Sequence, residues 1–229
     1  MVTSRFTLYS GPRSMFGAKA QIAALEKGID FELVIVQFDF HALYAPKHPQ
    51  VLRFNPKRQV PVLVDGDLEL FDSTQMFEYF EDLQPEPALW PHDMRERARA
   101  RLLELQADEV YFPHIIKLMS LQDQLQGEAA QTAIEAAQQF CLNMEAQLAD
   151  GRDWLMRDYT FADIAFFMAA LFDERQGATL TPATPRLIAR CERMTQRPAV
   201  AKVAGPMTRW LHDAGRPIPP FMQLWLGGA

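Results

Sequence analysis

The stretch NPKRQVPVLVDGDLELFDSTQMFEYFEDL, which runs from Asn55 to Leu83, decides the fold of the first part of the chain. Apolar and polar residues alternate on both sides of the pair Asp65-Gly66, and Asp-Gly between two such runs is typical of a two-residue β-hairpin turn. The residues after the second run have the spacing of a helix, and Pro85 follows its end. We therefore expect a hairpin, with Asp65-Gly66 as its turn, and then a helix.

A strand, a helix and a second strand are predicted upstream of the hairpin. Residues 5–10 read as a strand, residues 15–27 as an alanine-rich helix, and residues 31–38 are rich in the β-branched and aromatic residues of strands. A helix between two strands implies a right-handed parallel crossover, and a hairpin adds antiparallel strands. The first 84 residues therefore predict a mixed four-stranded sheet.

The remainder of the chain has the period of helices. A proline-rich connector, QPEPALWP, precedes it at residues 84–91. Helices are expected over residues 94 to about 126, over 128–149, over 161–172 and from Thr184-Pro185 onward. The sequence thus indicates an α/β domain at residues 1–84, a linker at 85–91 and an all-helical domain at 92–229.

Composition and charge argue against several classes of function. The 229 residues include 23 Lys and Arg and 29 Asp and Glu, and the net charge of −6 speaks against a nucleic-acid partner. No apolar run is long enough for a membrane span, and the first ten residues lack the features of a signal peptide. The two cysteines are isolated, as is usual in a reducing compartment, so we expect a cytoplasmic protein. The five histidines show no metal-ligand spacing, and no metal site is expected.

Three positions in the first domain have both a structural and a functional interpretation. Pro61 is either an ordinary strand-initiating proline or a cis-proline that frees the main chain of Val60 to pair with a bound peptide. Asp72 and Ser73 either cap the following helix or bind the two charged ends of an amino acid. Ser14 is either the N-cap of the first helix or a hydroxyl donor to a thiolate held at that helix terminus.

Together, these segments resemble the glutathione transferase superfamily over essentially the whole chain. LYSGPRSM is similar to the first strand and serine-bearing turn of the serine-type classes, and NPKRQVPVL to the segment that carries the cis-proline. FDSTQMFEYFEDL resembles the helix start with an acidic residue and a serine, and YTFADIAFF and RPAVAKV resemble segments of the second domain. The resemblance implies a thioredoxin-like first domain, an all-helical second domain, and a bacterial, serine-type protein of unassigned class.

The resemblance also implies roles for individual residues. Ser14 would be the catalytic hydroxyl that hydrogen-bonds the sulfur of glutathione. Asp72 and Ser73 would bind the γ-glutamyl end, and the main chain of Val60 would pair with the cysteinyl unit. Two further positions match contacts to the peptide and its glycyl carboxylate. The implied glutathione-binding residues are Lys47, Gln59, Val60, Pro61, Asp72 and Ser73.

The helical domain contributes one structural motif and one candidate pocket. Thr160 and Asp163 have capping-box spacing, and we interpret them as folding determinants. An apolar acceptor pocket for an electrophile is expected at the first long helix, although an aromatic stripe at helical spacing is more often core. The candidate acceptor residues are Met15, Tyr111, Phe112 and Ile115.

The function implied by the resemblance is glutathione transfer in a cytoplasmic homodimer with a detoxifying role. Bound glutathione, as co-substrate, would attack an electrophilic and mostly apolar small molecule. Because no cysteine precedes Cys141, thiol–disulfide chemistry in the first domain is excluded. Two alternatives stay open: a non-catalytic interaction or regulatory protein with this fold, such as those of the bacterial starvation response, and a glutathione-dependent isomerase.

Overall fold

The structure, a computed structural model, describes residues 5–39, 42–121 and 125–226, and it divides into two compact units. The first unit comprises residues 1–88 and the second residues 89–229. The first unit contains the mixed four-stranded sheet and the second is helical, so the predicted fold class is confirmed.

The first unit alternates strands and helices in the predicted order, with one short helix in addition. Its elements are β1 (Phe6–Ser10), α1 (Met15–Glu26), β2 (Phe31–Ile35), α2 (Pro49–Phe54), β3 (Val62–Asp65), β4 (Leu68–Phe71) and α3 (Ser73–Leu83). The additional helix is α2, which lies in a polar stretch without a sustained period. Pro49 occupies its first turn, where a missing N–H is tolerated, and the Nδ1 of His48 caps it by accepting the N–H of Gln50 at 3.3 Å.

The sheet has the strand order β2-β1-β3-β4, with β1 parallel to β2 and the other two pairs antiparallel. In the hairpin, Asp65 pairs with Leu68, so the loop residues are Gly66 and Asp67. The predicted turn at Asp65-Gly66 was therefore one residue early. Gly66 has a φ of 62°, a left-handed conformation that glycine adopts without steric cost.

A buried lysine fixes the end of α1. The Nζ of Lys27 donates to Oε2 of Glu81 at 2.7 Å and to the carbonyl oxygens of Pro87 at 2.6 Å and Pro85 at 3.3 Å. A buried charge is costly unless it is paired and hydrogen-bonded, and these acceptors meet that need. The contacts join α1 and α3 to the segment that ends the first unit.

The second unit is built from six α-helices, all within the described residues. They are α4 (Met94–Gln106), α5 (Phe112–Leu121), α6 (Glu128–Gln147), α7 (Phe161–Gln176), α8 (Pro185–Thr195) and α9 (Pro198–Asp213). A π-helix, Ala107–Tyr111, joins α4 to α5, and α5 ends at Leu121. The predicted helix from residue 94 to about 126 is therefore continuous from residue 94 to residue 121, but it contains a π-helical turn that was not predicted. The helical period does not show the extra residue per turn that a π-helix accommodates.

The core of the second unit forms around α7, which is buried on nearly all sides. At its start, Oδ1 of the fully buried Asp163 accepts the N–H of Leu155 at 2.8 Å, and Oδ2 accepts the N–H of Thr160 at 3.0 Å. The Nε of Arg190 lies 3.6 Å from Oδ1. The predicted capping box of Thr160 and Asp163 is confirmed.

The last described segment packs on the same unit. Residues Pro220–Trp225 form a 3₁₀ turn that contacts α8 and α9. Phe221 and Met222 are buried, and the ring of Phe221 lies 5.7 Å from that of Phe167, centroid to centroid. These two apolar side chains therefore belong to the helical core, whereas Leu224 of the same segment is 51% exposed.

Candidate functional site

The register of the sheet brings the predicted site segments of the first unit together. β1 and β2 end side by side, since Ser10 pairs with Ile35. β3 begins at Val62, which pairs with Tyr9 near the end of β1 and with Phe71 at the end of β4. The segments that follow β1, β2 and β4 and that precede β3 therefore leave from one edge of the sheet, which we call the strand-end edge. They contain Ser14, Lys47, Gln59, Val60, Pro61, Asp72 and Ser73.

Ser14 is the N-cap of α1. Its Oγ accepts the N–H of Gly17 at 2.9 Å, and its carbonyl oxygen accepts the N–H of Ala18 at 2.9 Å. A serine hydroxyl can accept and donate at once, and within the described residues the proton of this hydroxyl is not donated. The cap and the donor, which the sequence presents as alternatives, are therefore compatible roles for Ser14.

The first turn of α1 is closely packed against the end of β1. The Nε2 of Gln21 donates to Oγ of Ser10 at 2.9 Å and to the carbonyl oxygen of Gly17 at 3.2 Å. A Cβ at Gly17 would lie 2.1 Å from Oγ of Ser10 and 3.0 Å from Oγ of Ser14. Glycine is therefore required if its N–H is to reach the cap. In the sequence, the sign of this contact is that Gly17 stands three residues after Ser14, which is the spacing between an N-cap residue and the helix N–H that it accepts.

Gln59 and Val60 lie on a loop that the buried side chain of Asn55 organises. The Nδ2 of Asn55 donates to the carbonyl oxygen of Gln59 at 2.6 Å. The Val60–Pro61 peptide bond is cis, the geometry that the sequence posed as the functional alternative. The ladder between β1 and β3 begins only at Val62, so the main chain of Val60 lies outside it. Sequence reasoning missed Asn55, although an Asn-Pro pair is a turn signal.

Asp72 and Ser73 form the start of α3. Asp72 is its N-cap, and its Oδ1 accepts the N–H of Thr74 at 3.0 Å. The backbone of Asp72 has a φ of 81°, which is costly for a residue other than glycine and is common at functional sites. Ser73, the first helical residue, is buried, whereas Asp72 is exposed. The capping role of Asp72 is realised, and its carboxylate remains at the surface.

Sequence reasoning missed Tyr44, which packs on the turn after β1. A Cβ at Gly11 would lie 2.4 Å from Oη and 2.5 Å from Cε1 of Tyr44, so the ring rests directly on this glycine. The ring of Phe38 meets that of Tyr44 edge-on at 4.9 Å, and the Nζ of Lys47 lies 5.7 Å from its centroid. Burial raises the pKa of Tyr44 to about 12, and the charge and backbone N–H of Arg13 oppose this only partly. Tyr44 lies in the polar stretch, where no motif marks it.

The candidate acceptor residues of the second unit lie in its core. Tyr111 and Ile115 are 0% exposed and Phe112 is 4% exposed. The hydroxyl of Tyr111 donates to Oδ2 of Asp173. These positions favour the core interpretation of the aromatic stripe over a pocket wall. Met15, on α1 of the first unit, is also buried.

Cysteine and metal chemistry find no support in the described part of the chain. Cys141 and Cys191 are both buried, and burial raises the pKa of Cys141 to about 12 and that of Cys191 as well. Neither thiol is therefore ionised near neutral pH. Among residues 5–39, 42–121 and 125–226, no three His, Cys, Asp or Glu side chains are grouped to hold a metal ion. No helix in these ranges is long and apolar enough to cross a membrane.

Comparison with known proteins decides the family. Residues 8–88 match the family model described as the N-terminal domain of glutathione S-transferase. The chain is 31% identical over 197 residues to the probable glutathione S-transferase parC of Nicotiana tabacum, a match that covers 82% of this chain and 84% of the tobacco protein. The chain belongs to the glutathione S-transferase family. The resemblance noted in the sequence is thereby confirmed.

The curated relatives of this chain include proteins named glutathione S-transferase and proteins named stringent starvation protein A homolog. A stringent starvation protein A homolog of Coxiella burnetii is 29% identical over 162 residues, which cover 70% of this chain and 72% of that protein. Other curated relatives are matched over only 51% of their own length. Among solved structures, a glutathione transferase of Burkholderia graminis with two glutathione molecules bound per subunit has a TM-score of 0.74 at 24% identity, and 87% of each chain is covered. This likeness shows the shared fold.

Proposed function

We propose that this member of the family is a glutathione transferase that binds glutathione at the strand-end edge and activates its thiolate for attack on an electrophilic, mostly apolar small molecule. The observation that carries the proposal is Ser14 at the N-terminus of α1. Its Oγ is fixed by the N–H of Gly17 at 2.9 Å, and its proton stays free for a ligand within the described residues. The N-terminus of the helix adds a positive potential at the same place.

The stabilisation that this mechanism needs is modest. A thiol with the usual pKa of about 8.5 is ionised to only a few per cent at pH 7. Lowering that pKa by about two units makes the thiol mostly thiolate and requires about 2.7 kcal/mol of differential stabilisation. A hydrogen bond from a hydroxyl to an anion, about 1.5–3 kcal/mol, together with a helix terminus, about 0.3–1 kcal/mol, supplies this amount. No general base is needed next to Ser14.

The other predicted residues give the tripeptide its register along the strand-end edge. The main chain of Val60, which lies outside the ladder, would pair with the cysteinyl unit like an added strand. Ser73 and the exposed carboxylate of Asp72 at the start of α3 would bind the γ-glutamyl carboxylate and ammonium. Gln59 and Lys47 would contact the peptide and the glycyl carboxylate. Glutathione in the Burkholderia structure, which has the same fold, supports this ligand.

One observation favours a second candidate function. The similarity to a stringent starvation protein A homolog supports a non-catalytic interaction or regulatory protein with this fold. Such a protein would not need a hydroxyl donor for a thiolate, so the proton of Ser14 that is not donated within the described residues argues for the transferase. We also propose, from the family, a cytoplasmic homodimer.

Calorimetry with glutathione and a conjugation assay with dinitrochlorobenzene test the proposal. Ser14→Ala is expected to lower turnover by about ten- to a thousandfold, the effect of losing one donor to a developing anion, with little change in glutathione affinity. The matched control is Ser120→Ala, which removes an exposed hydroxyl in α5 and should leave both quantities unchanged. Binding by the wild type without turnover of any electrophile would favour the regulatory protein. No binding at millimolar glutathione would refute the proposal.

A further inference from the structure

Two buried polar side chains, those of Ser10 and Gln21, join the end of β1 to α1. Ser10 is 0% exposed and Gln21 is 7% exposed. Their neighbours along α1 are apolar, since Ala18, Ala20 and Ile22 are fully buried as well. A buried amide or hydroxyl costs free energy unless it is hydrogen-bonded, and an apolar pair of the same shape would fill the space without that requirement. The polar pair therefore calls for an explanation beyond packing.

The hydrogen bonds of Gln21 lead directly to the cap that Ser14 forms. The Nε2 of Gln21 donates to Oγ of Ser10 at 2.9 Å and to the carbonyl oxygen of Gly17 at 3.2 Å. The N–H of the same Gly17 donates to Oγ of Ser14 at 2.9 Å. The hydroxyl of Ser14 is thus only two hydrogen bonds away from the amide of Gln21.

Ser10 is the fixed point of this arrangement. Its carbonyl oxygen accepts the N–H of Val36 at 2.8 Å, so its main chain is held by the sheet. Its Oγ lies 3.5 Å from the carbonyl oxygen of Gly11, which accepts the N–H of Ser14 at 3.2 Å. Ser10 is therefore connected to Ser14 through the turn after β1 as well as through α1.

The direction of the Ser14 hydroxyl matters for the proposed reaction. A group that takes part in catalysis must be held within about 0.5 Å of its productive position, and hydrogen bonds from residues behind it provide this. The first turn of a helix is weakly constrained, because its N–H groups have no partners within the helix. Without the link between Gln21 and Ser10, the first turn of α1 would be free to tilt from the sheet. The proton of Ser14 would then point away from a bound sulfur.

We propose that Ser10 and Gln21 are positioning residues whose buried hydrogen bond holds the first turn of α1, and with it the hydroxyl of Ser14, in the orientation that meets the sulfur of the ligand. The inference rests on the proposed function, since it requires a thiol ligand at the start of α1. In this role neither side chain contacts the ligand, and both act through Ser14. Removing either partner should therefore have about the same effect, and that effect should not exceed the effect of Ser14→Ala.

The test uses Gln21→Met, which keeps an unbranched side chain of similar length without the donor, and Ser10→Ala, which removes the acceptor. The pKa of bound glutathione is measured by titrating the ultraviolet absorbance of the thiolate in each complex. We expect either substitution to raise this pKa by about half to one unit, which corresponds to a roughly three- to tenfold lower ionisation constant. Turnover of dinitrochlorobenzene should fall, with little change in glutathione affinity by calorimetry. The matched control is Thr208→Val, which removes a buried hydroxyl from α9 and should leave the thiol pKa unchanged.

A double-mutant cycle separates positioning from a merely structural effect. In a Ser14→Ala background, Gln21→Met should cause no further rise of the thiol pKa, because the side chain through which it acts is absent. Ser10→Ala in the same cycle gives an independent result if Gln21→Met does not fold. An equal rise in both backgrounds, or an unchanged thiol pKa in both single variants, would overturn the inference and leave the proposed function standing. If the wild type binds no glutathione, or Ser14→Ala leaves the thiol pKa unchanged, the proposed function fails and the inference fails with it.

Discussion

Replacing Asp173 by Asn is expected to abolish a loss of stability that the wild type undergoes as the pH rises. Asp173 is 1% exposed, its Oδ2 accepts the hydroxyl of Tyr111, and its Oδ1 has no hydrogen-bond partner in the described residues. Burial raises the pKa of Asp173 from 3.8 to about 8, against the lowering effect of the Tyr111 hydrogen bond. Because the folded pKa exceeds the unfolded one, the stability contributed by the neutral carboxyl is complete below about pH 4. It is lost as the pH rises to about 8.

The magnitude follows from the two pKa values. Between 3.8 and about 8 there are about four pH units, each worth about 1.4 kcal/mol, so the free energy of unfolding should fall by about 6 kcal/mol over this window. That span is comparable with the whole stability of a typical domain, about 5–15 kcal/mol. Asn has nearly the same shape and still accepts the hydroxyl of Tyr111, but it does not ionise. The variant should therefore match the wild type near pH 4 and exceed it near pH 8.

Urea denaturation followed by circular dichroism, at intervals from pH 4 to pH 8, measures this difference. The groups that titrate elsewhere are common to both proteins and cancel when the two curves are subtracted. The neighbouring Glu174 does not cancel fully, because its charge helps to raise the pKa of Asp173 and the two groups titrate together. Asp158→Asn, an exposed change of the same charge in the same unit, is the control and should follow the wild type at every pH. Parallel curves for Asp173→Asn and the wild type would refute the reasoning.

Two further substitutions separate binding from folding. Asp72→Asn keeps a side chain that caps α3 and tolerates a positive φ, so the melting temperature should stay within about 1–2 °C, while loss of the charge facing the ammonium should weaken glutathione binding about tenfold in calorimetry. A change in melting temperature with unchanged affinity would make Asp72 a purely structural residue. Asp163→Ala removes a fully buried carboxylate and leaves the buried Arg190 without its counter-ion, so unfolding in urea should show a loss of about 3–5 kcal/mol. A loss below about 1 kcal/mol would mean that this cluster contributes little.

The parts of the site that could be predicted from sequence depend on local patterns. Ser14 precedes the alanine-rich helix at cap spacing, and Asp72 stands between a strand and a helix, so their places at helix starts follow from neighbouring residues alone. The cis geometry before Pro61 required the family resemblance, because a strand-initiating proline has the same local sequence. The hairpin was predicted with its turn one residue early, since alternation of apolar residues does not fix the register of a pair.

The missed features depend on contacts between residues that are distant in sequence. Tyr44 meets Gly11 across 33 positions, and neither residue type indicates the other. The π-helix that ends at Tyr111 places that side chain against Asp173 on α7, and only this partner distinguishes a core tyrosine from a pocket wall. A contact of this kind is decided by the packing of whole helices, which hydrophobic period alone does not determine.

The three acceptors around Lys27 determine where the polypeptide can be divided. A fragment that stops at Leu83 would keep Lys27 and Glu81 but would lose the carbonyl oxygens of Pro85 and Pro87. The buried ammonium group of Lys27 would then keep only one of its three hydrogen-bond acceptors. Expression of the amino-terminal half by itself should therefore extend through Ala88, and a shorter piece should be insoluble or readily proteolysed. The segment from Gln84 to Ala88 therefore has two functions: it completes the hydrogen bonding of the amino-terminal unit, and it connects that unit to the helical one.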